Sequence, residues 1–218
     1  MARPQQTAKQ MAQKRKELLD TAQALYEARG AEGMSFRAIA SANGCSATKP
    51  YMYFDSKADL IDGLRVRAYE WMRDQLDQAA TSSGDALEAL REVATAYVRS
   101  GLERPRMYEL MYSQDGAKPE TSPALLEAKL AAIGVCRRCI VNLAAVPGVE
   151  LTEDPDTAAH LFWVSAHGLV SLEHGGFLVV GRSIEQLLSA VIVNVFRGIT
   201  QGDFELLPNI SANVCDAM

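Results

Sequence analysis

Apolar positions recur at spacings of three and four residues along most of the chain, and polar breaks carrying caps or glycines separate the stretches. The first clear stripe holds Leu18, Ala22, Leu25, Tyr26 and Arg29, and Gly30 follows as its stop. Ser35 offers an N-cap oxygen to a short segment striped by Phe36, Ile39 and Ala40, which Asn43 and Gly44 end. Ser46 opens another segment, through Tyr51 and Phe54, with Cys45 and Pro50 placed as a hydrophobic staple. Ser56, with Asp59 three residues on, predicts a capped long helix carrying Leu60, Leu64, Arg67 and Trp71.

Beyond the break at Thr81-Ser-Ser-Gly84 every remaining signal is helical. Leu87, Leu90, Ala94, Tyr97 and Val98 form one stripe, and Pro105 suits the first turn of a short helix with Tyr108, Leu110, Met111 and Tyr112. Ser122-Pro123 starts a further helix that Pro147-Gly148 ends. The segment from about Pro155 to Gly175 is apolar on most sides. The last long segment holds Ile184, Leu187, Leu188, Val191, Ile192, Val195, Phe196 and Ile199 on one face. A helix apolar nearly all round needs cover on two sides, which predicts a homodimer through these last two long helices; an intrachain core alone is the competing reading. The expected fold is all-α with about nine helices.

The chain has 218 residues and a formal net charge of −5, but that charge is unevenly placed. Residues 1–73 hold 12 Lys and Arg against 8 Asp and Glu, or +4, and the rest holds 10 against 19, or −9. A basic head on an acidic body suits a protein that touches phosphate with one end. Basic residues crowd the front at Lys9, Lys14, Arg15 and Lys16, either as a solvated lead-in or as an arm that contacts DNA. The polar start lacks a secretory signal, the longest uncharged stretch, Thr157 to Leu172, is too short and polar to span a bilayer, and Cys45, Cys136, Cys139 and Cys215 form no disulfide framework. A cytoplasmic location is the resulting expectation.

Short helix, glycine turn, short capped helix is the spacing of a helix-turn-helix, whose second helix would enter the major groove. The run from Leu18 to Gly30, then Ser35-Phe-Arg-Ala-Ile-Ala, Gly44-Cys-Ser and Tyr51-Met-Tyr-Phe-Asp-Ser-Lys57-Ala-Asp-Leu60, resembles the DNA-binding domain of the TetR family of repressors. Trp163 with His167-Gly168 is similar, more loosely, to a Trp-x-x-x-His-Gly pattern of one C-terminal subgroup of that family. The resemblance implies a three-helix DNA-binding domain over residues 1–57 and a helical regulatory and dimerisation domain over 58–218. It also implies a pseudo-palindromic double-stranded operator and release when a small molecule tilts the long helix after the DNA-binding segment. Among individual residues it implies phosphate contacts for Ser35, Tyr51, Tyr53 and Lys57, and a base or phosphate contact for Arg37. Ser46, which opens the next segment, is a further expected DNA contact, and base reading falls to Ala47, Thr48 and Lys49, while Phe36, Ile39 and Phe54 are core. Pro50 departs from the common pattern, which has leucine or a similar residue there, and forfeits the first bond of the expected helix.

Tyr97, Met107, Tyr108, Met111, Phe162 and Trp163 are candidates to line an adaptable apolar ligand site, although residues of these types at helical spacing are more often plain core, and His167 is a candidate hydrogen-bond partner of a ligand. The effector expected is mainly apolar. His160, His167 and His174 recur every seven residues, about 10 Å apart along a helix, too far to share one ion. Cys136-Arg-Arg-Cys139 has a CxxC spacing, but it lies within a helix and lacks the second ligand pair of a zinc site. No metal or cofactor is expected. An enzyme is disfavoured because GxGxxG, P-loop and GxSxG motifs are missing. A helical scaffold or ligand-binding protein without DNA binding would leave the basic, repeatedly capped N-terminal segment unexplained.

Overall fold

The computed structural model describes residues 7–113 and 121–201; Cys215 lies outside them. Among the described residues eight α-helices and one 3₁₀ turn dominate: α1 Ala8–Gly33, α2 Phe36–Ala42, the 3₁₀ turn Pro50–Met52, α3 Lys57–Ala80, α4 Ala86–Glu103, α5 Pro105–Tyr112, α6 Pro123–Ala144, α7 Pro155–His174 and α8 Ile184–Ile199. Two short strands, β1 Glu150–Leu151 and β2 Thr200–Gln201, pair antiparallel. The all-α expectation holds, and this two-residue bridge beside it has no period for a sequence pattern to reveal.

Caps account for most helix starts. Ser35 accepts from the Ala38 amide at 3.2 Å, Ser56 from Asp59 at 3.1 Å, and Asp85 from Glu88 at 2.8 Å. Helix α1 begins about ten residues ahead of its apolar stripe because Thr7 and Gln10 close a reciprocal capping box. Gly30 then takes φ 68°, a conformation that costs a residue with a Cβ, and the helix kinks there before ending at Gly33. At the other end of the chain, Ser183 and Gln186 form a second capping box that launches α8.

The chain divides into two compact units. Among the described residues, one comprises 7–68 together with 106–113 and 121–127, and the other comprises 69–105 with 128–201. In the first, Leu18, Ala22, Ile39, Phe54, Leu60 and Leu64 are buried and pack α1, α2 and the start of α3 into a small core. Arg65 of α3 is buried with them and donates to the carbonyls of Leu110, at 3.0 Å, and Ser113, so α5 is held by its C-terminal carbonyls.

In the second unit α7 packs against both α4 and α8. Leu90, Val93 and Val98 of α4, Phe162, Leu169 and Val170 of α7, and Leu188, Ile192 and Phe196 of α8 are buried. Cover of α7 is incomplete: Leu161, Val164 and Leu172 remain exposed, Val164 by 66%. Among the described residues no helix is long and apolar enough to cross a membrane.

Candidate functional site

The segment after α2 differs from the helix its sequence pattern predicts. Residues 46–49 form a turn, and only Pro50–Met52 become helical, as a 3₁₀ turn. Pro50 supplies the reason. A continuing α-helix would send the residue-50 amide to the Ser46 carbonyl, but proline has no N–H and its ring crowds that oxygen. The Ser46 carbonyl accepts instead from Lys49 at 2.9 Å, three residues on, and Lys49 and Pro50 carbonyls accept from Met52 and Tyr53 in the same tight register.

This compact turn presents the expected DNA-contacting residues unequally. Ser46, Ala47 and Thr48 are exposed, with the Ser46 and Thr48 hydroxyl oxygens 3.2 Å apart. Lys49 is half-buried, its ammonium 5.5 Å from the Tyr53 ring centre. Tyr51 is 61% exposed and meets Phe36 edge-on at 4.5 Å, whereas Tyr53 is only 8% exposed. Ser35 and Arg37 are exposed at the start of α2. Lys57, at the start of α3, is exposed too, with its ammonium 3.5 Å from the Ala31 carbonyl. All nine expected DNA contacts therefore belong to the first unit, and seven of them are exposed. Phe36, expected as core, is half-buried and stacks on Phe54 at 6.3 Å between ring centres.

The basic front of α1 resolves into different uses. Lys14 pairs with Glu17 at 2.8 Å, Lys9 and Lys16 face solvent, and Arg15 turns inward to Tyr53, Phe54 and Asp59. Arg15 is the functional candidate whose role the sequence pattern misassigned: a basic residue ahead of an apolar stripe carries no sign of which way it points.

The ligand candidates separate between the two units. Met107, Tyr108 and Met111 of α5 are buried in the first. Tyr97 of α4 and Phe162, Trp163 and His167 of α7 lie in the second. There the Trp163 indole N–H donates to the Tyr97 phenol oxygen at 3.0 Å, and Ser171 Oγ lies 3.3 Å from His167 Nε2. Burial lowers the His167 pKa below the ordinary histidine value and so favours the neutral imidazole, which offers one donor and one acceptor. The His160 Nδ1–H donates to the Asp156 carbonyl at 2.8 Å, one turn back on its own helix.

Cys136 and Cys139 of α6 are both buried, and burial raises both thiol pKa values. The Cys136 thiol donates to the Ala159 carbonyl at 3.9 Å. Thiols held protonated in this way are poor nucleophiles. Among the described residues no group of three or more His, Cys, Asp and Glu side chains is placed to hold a metal ion.

Comparison with known proteins bears on both units. A family model described as bacterial regulatory proteins, tetR family, matches residues 18–64, and one described as tetracyclin repressor-like, C-terminal domain, matches residues 90–195. A solved structure of a protein with unknown function from Rhodococcus sp. RHA1 is 25% identical, with a TM-score of 0.76 over 86% of this chain and 95% of its own. A TetR family transcription regulator from Marinobacter aquaeolei VT8 is 17% identical, with a TM-score of 0.61 over 89% of this chain and 100% of its own. A TetR family transcriptional regulator from Thermus thermophilus is 18% identical, with a TM-score of 0.59 over 83% of this chain and 97% of its own. At these identities the last two show a shared fold alone. No curated protein sequence matches the chain.

Proposed function

The chain belongs to the TetR family of bacterial DNA-binding transcriptional regulators, and we propose that it works in the cytoplasm as a homodimeric repressor released from a pseudo-palindromic operator by a small molecule. The observation that carries this reading is the exposed Ser46-Ala47-Thr48 turn, framed by exposed Ser35, Arg37, Tyr51 and Lys57 on the basic end of an otherwise acidic chain. Ala47, Thr48 and Lys49 read base edges in this account. Ser35, Tyr51, Tyr53 and Lys57 hold phosphates, and Arg37 serves either purpose.

Residues 1–57 carry DNA binding in this proposal, and the helical remainder carries regulation and dimerisation. The exposed apolar residues of α7, Leu161, Val164 and Leu172, support pairing of two copies through α7 and α8. The effector is mainly apolar and meets Tyr97, Phe162, Trp163 and His167; Met107, Tyr108 and Met111 are further buried candidates of the same character. Its binding tilts α3 and spreads the two DNA-reading turns away from the spacing of one DNA turn.

Two substitutions test the division of labour on DNA. Lys57→Ala weakens binding to every sequence and shallows the dependence of log affinity on log salt by about one. Thr48→Ala changes which sequences bind and leaves the salt slope in place. Equal effects of both on every sequence contradict the assigned roles.

A further inference from the structure

The Arg15 guanidinium gathers three groups from separate parts of the first unit. It donates to the Tyr53 carbonyl, which closes the 3₁₀ turn. It reaches both carboxylate oxygens of Asp59, in the first turn of α3, at 3.2 and 3.4 Å. It also lies 4.2 Å from the centre of the Phe54 ring, a cation–π distance. The Asp59 carboxylate in turn accepts from the Asp55 amide at 3.3 Å, and the Asp59 amide donates to Ser56 Oγ at 3.1 Å. Tyr53, Phe54 and Asp59 are thus gathered by one side chain that comes from α1, and Asp55 and Ser56 bond to Asp59 in turn.

From this geometry we infer that Arg15 is the positioning residue of the DNA-reading turn: it locks the end of that turn to the start of α3, so the turn keeps one angle and follows α3 when α3 moves. The inference rests on the DNA-binding reading above and adds its regulation. A short 3₁₀ turn with one missing backbone donor has few bonds of its own to fix its orientation. A planar guanidinium can satisfy a carbonyl and a carboxylate together, which a lysine ammonium cannot do with the same fixed geometry. Hydrogen bonds to Tyr53 and Asp59 hold the guanidinium against the protein, and the role assigned to Arg15 is positional instead of phosphate contact.

The test compares wild type with Arg15→Gln, Arg15→Lys and Asp59→Asn, each first checked for wild-type helical circular dichroism. Hydrogen exchange, measured on the full chain without DNA, reads the latch itself. Amides of residues 49 and 51–56 exchange at least tenfold faster in Arg15→Gln and Asp59→Asn, while those of α2 keep their protection. Arg15→Lys falls between them and wild type. With DNA, Arg15→Gln loses at least tenfold of the affinity ratio between the selected symmetric site and a scrambled duplex, and its salt slope on the scrambled duplex is unchanged.

Unchanged exchange over residues 49 and 51–56 overturns the inference. So does a salt slope reduced by about one with equal loss on all sequences, because that is the signature of a phosphate contact. Should Arg15→Gln fail to fold, Asp59→Asn carries the same exchange readout. If wild type selects no DNA site, the DNA-binding reading fails, and the exchange result still decides whether the latch exists.

Discussion

The Trp163 indole N–H donates to the Tyr97 phenol oxygen at 3.0 Å and joins the middle of α7 to α4. Both residues are large and amphipathic, so each buries an apolar body while its polar tip finds a partner. The same pair can report on a ligand that displaces one tip from the other.

Tyr97→Phe removes the acceptor and leaves the indole N–H in a half-buried setting. The expected loss of unfolding free energy is about 1 kcal/mol, the size of one such hydrogen bond. Urea titration followed by tryptophan emission measures it, with Trp71 the other tryptophan of the chain. Wild-type stability and an unshifted emission maximum in Tyr97→Phe count against the bond.

Pro50→Leu restores an amide opposite the Ser46 carbonyl. Proline in a helix interior costs about 3 kcal/mol or more, so the turn is expected to wind into α-helix from Ser46 onward and re-aim Thr48 and Lys49. The consequence is a changed set of preferred sequences with little change in salt slope, read by selecting DNA from a random library with both proteins. Identical selected motifs contradict the role assigned to Pro50.

His167 makes stability depend on pH. Burial disfavours its charged form, so the unfolded chain takes up a proton at a higher pH than the folded chain does. Its contribution is fully present above the ordinary histidine pKa and declines as pH falls through that value toward the lower folded one. Melting temperatures from pH 7.5 to 5 are expected to fall less steeply for His167→Gln than for wild type. Parallel curves would remove His167 from the account.

Cys136 and Cys139 are expected to resist alkylation in the native protein and to react once it is unfolded. Pulse labelling at pH 8 with mass-spectrometric readout checks this, with half-buried Cys45 as the internal comparison. Rapid native labelling of Cys136 would show a reactive thiol that burial does not protect.

Much of this architecture was legible because helices announce themselves twice, by apolar period and by caps. The stripe from Ile184 to Ile199 and the caps at Ser35 and Ser56 lie where the pattern places them. The front of α1 was not legible from period, since residues 8–17 bury no apolar face; the Thr7-x-x-Gln10 box was its signal. At residues 46–54 two rules competed. A serine cap and a helical stripe predicted an α-helix, and the missing amide of Pro50 prevailed locally. The inward turn of Arg15 was out of reach, because its partners at residues 53 and 59 are far along the chain and no local rule links them.

Sequence-specific binding to a two-fold site is the central claim. Purified, ligand-free protein is mixed with fragments of the source genome at moderate salt, and the bound pool is sequenced. The account predicts one enriched motif of two inverted half-sites with centres about one DNA turn apart. Enrichment without symmetry, or none from folded protein, would contradict it.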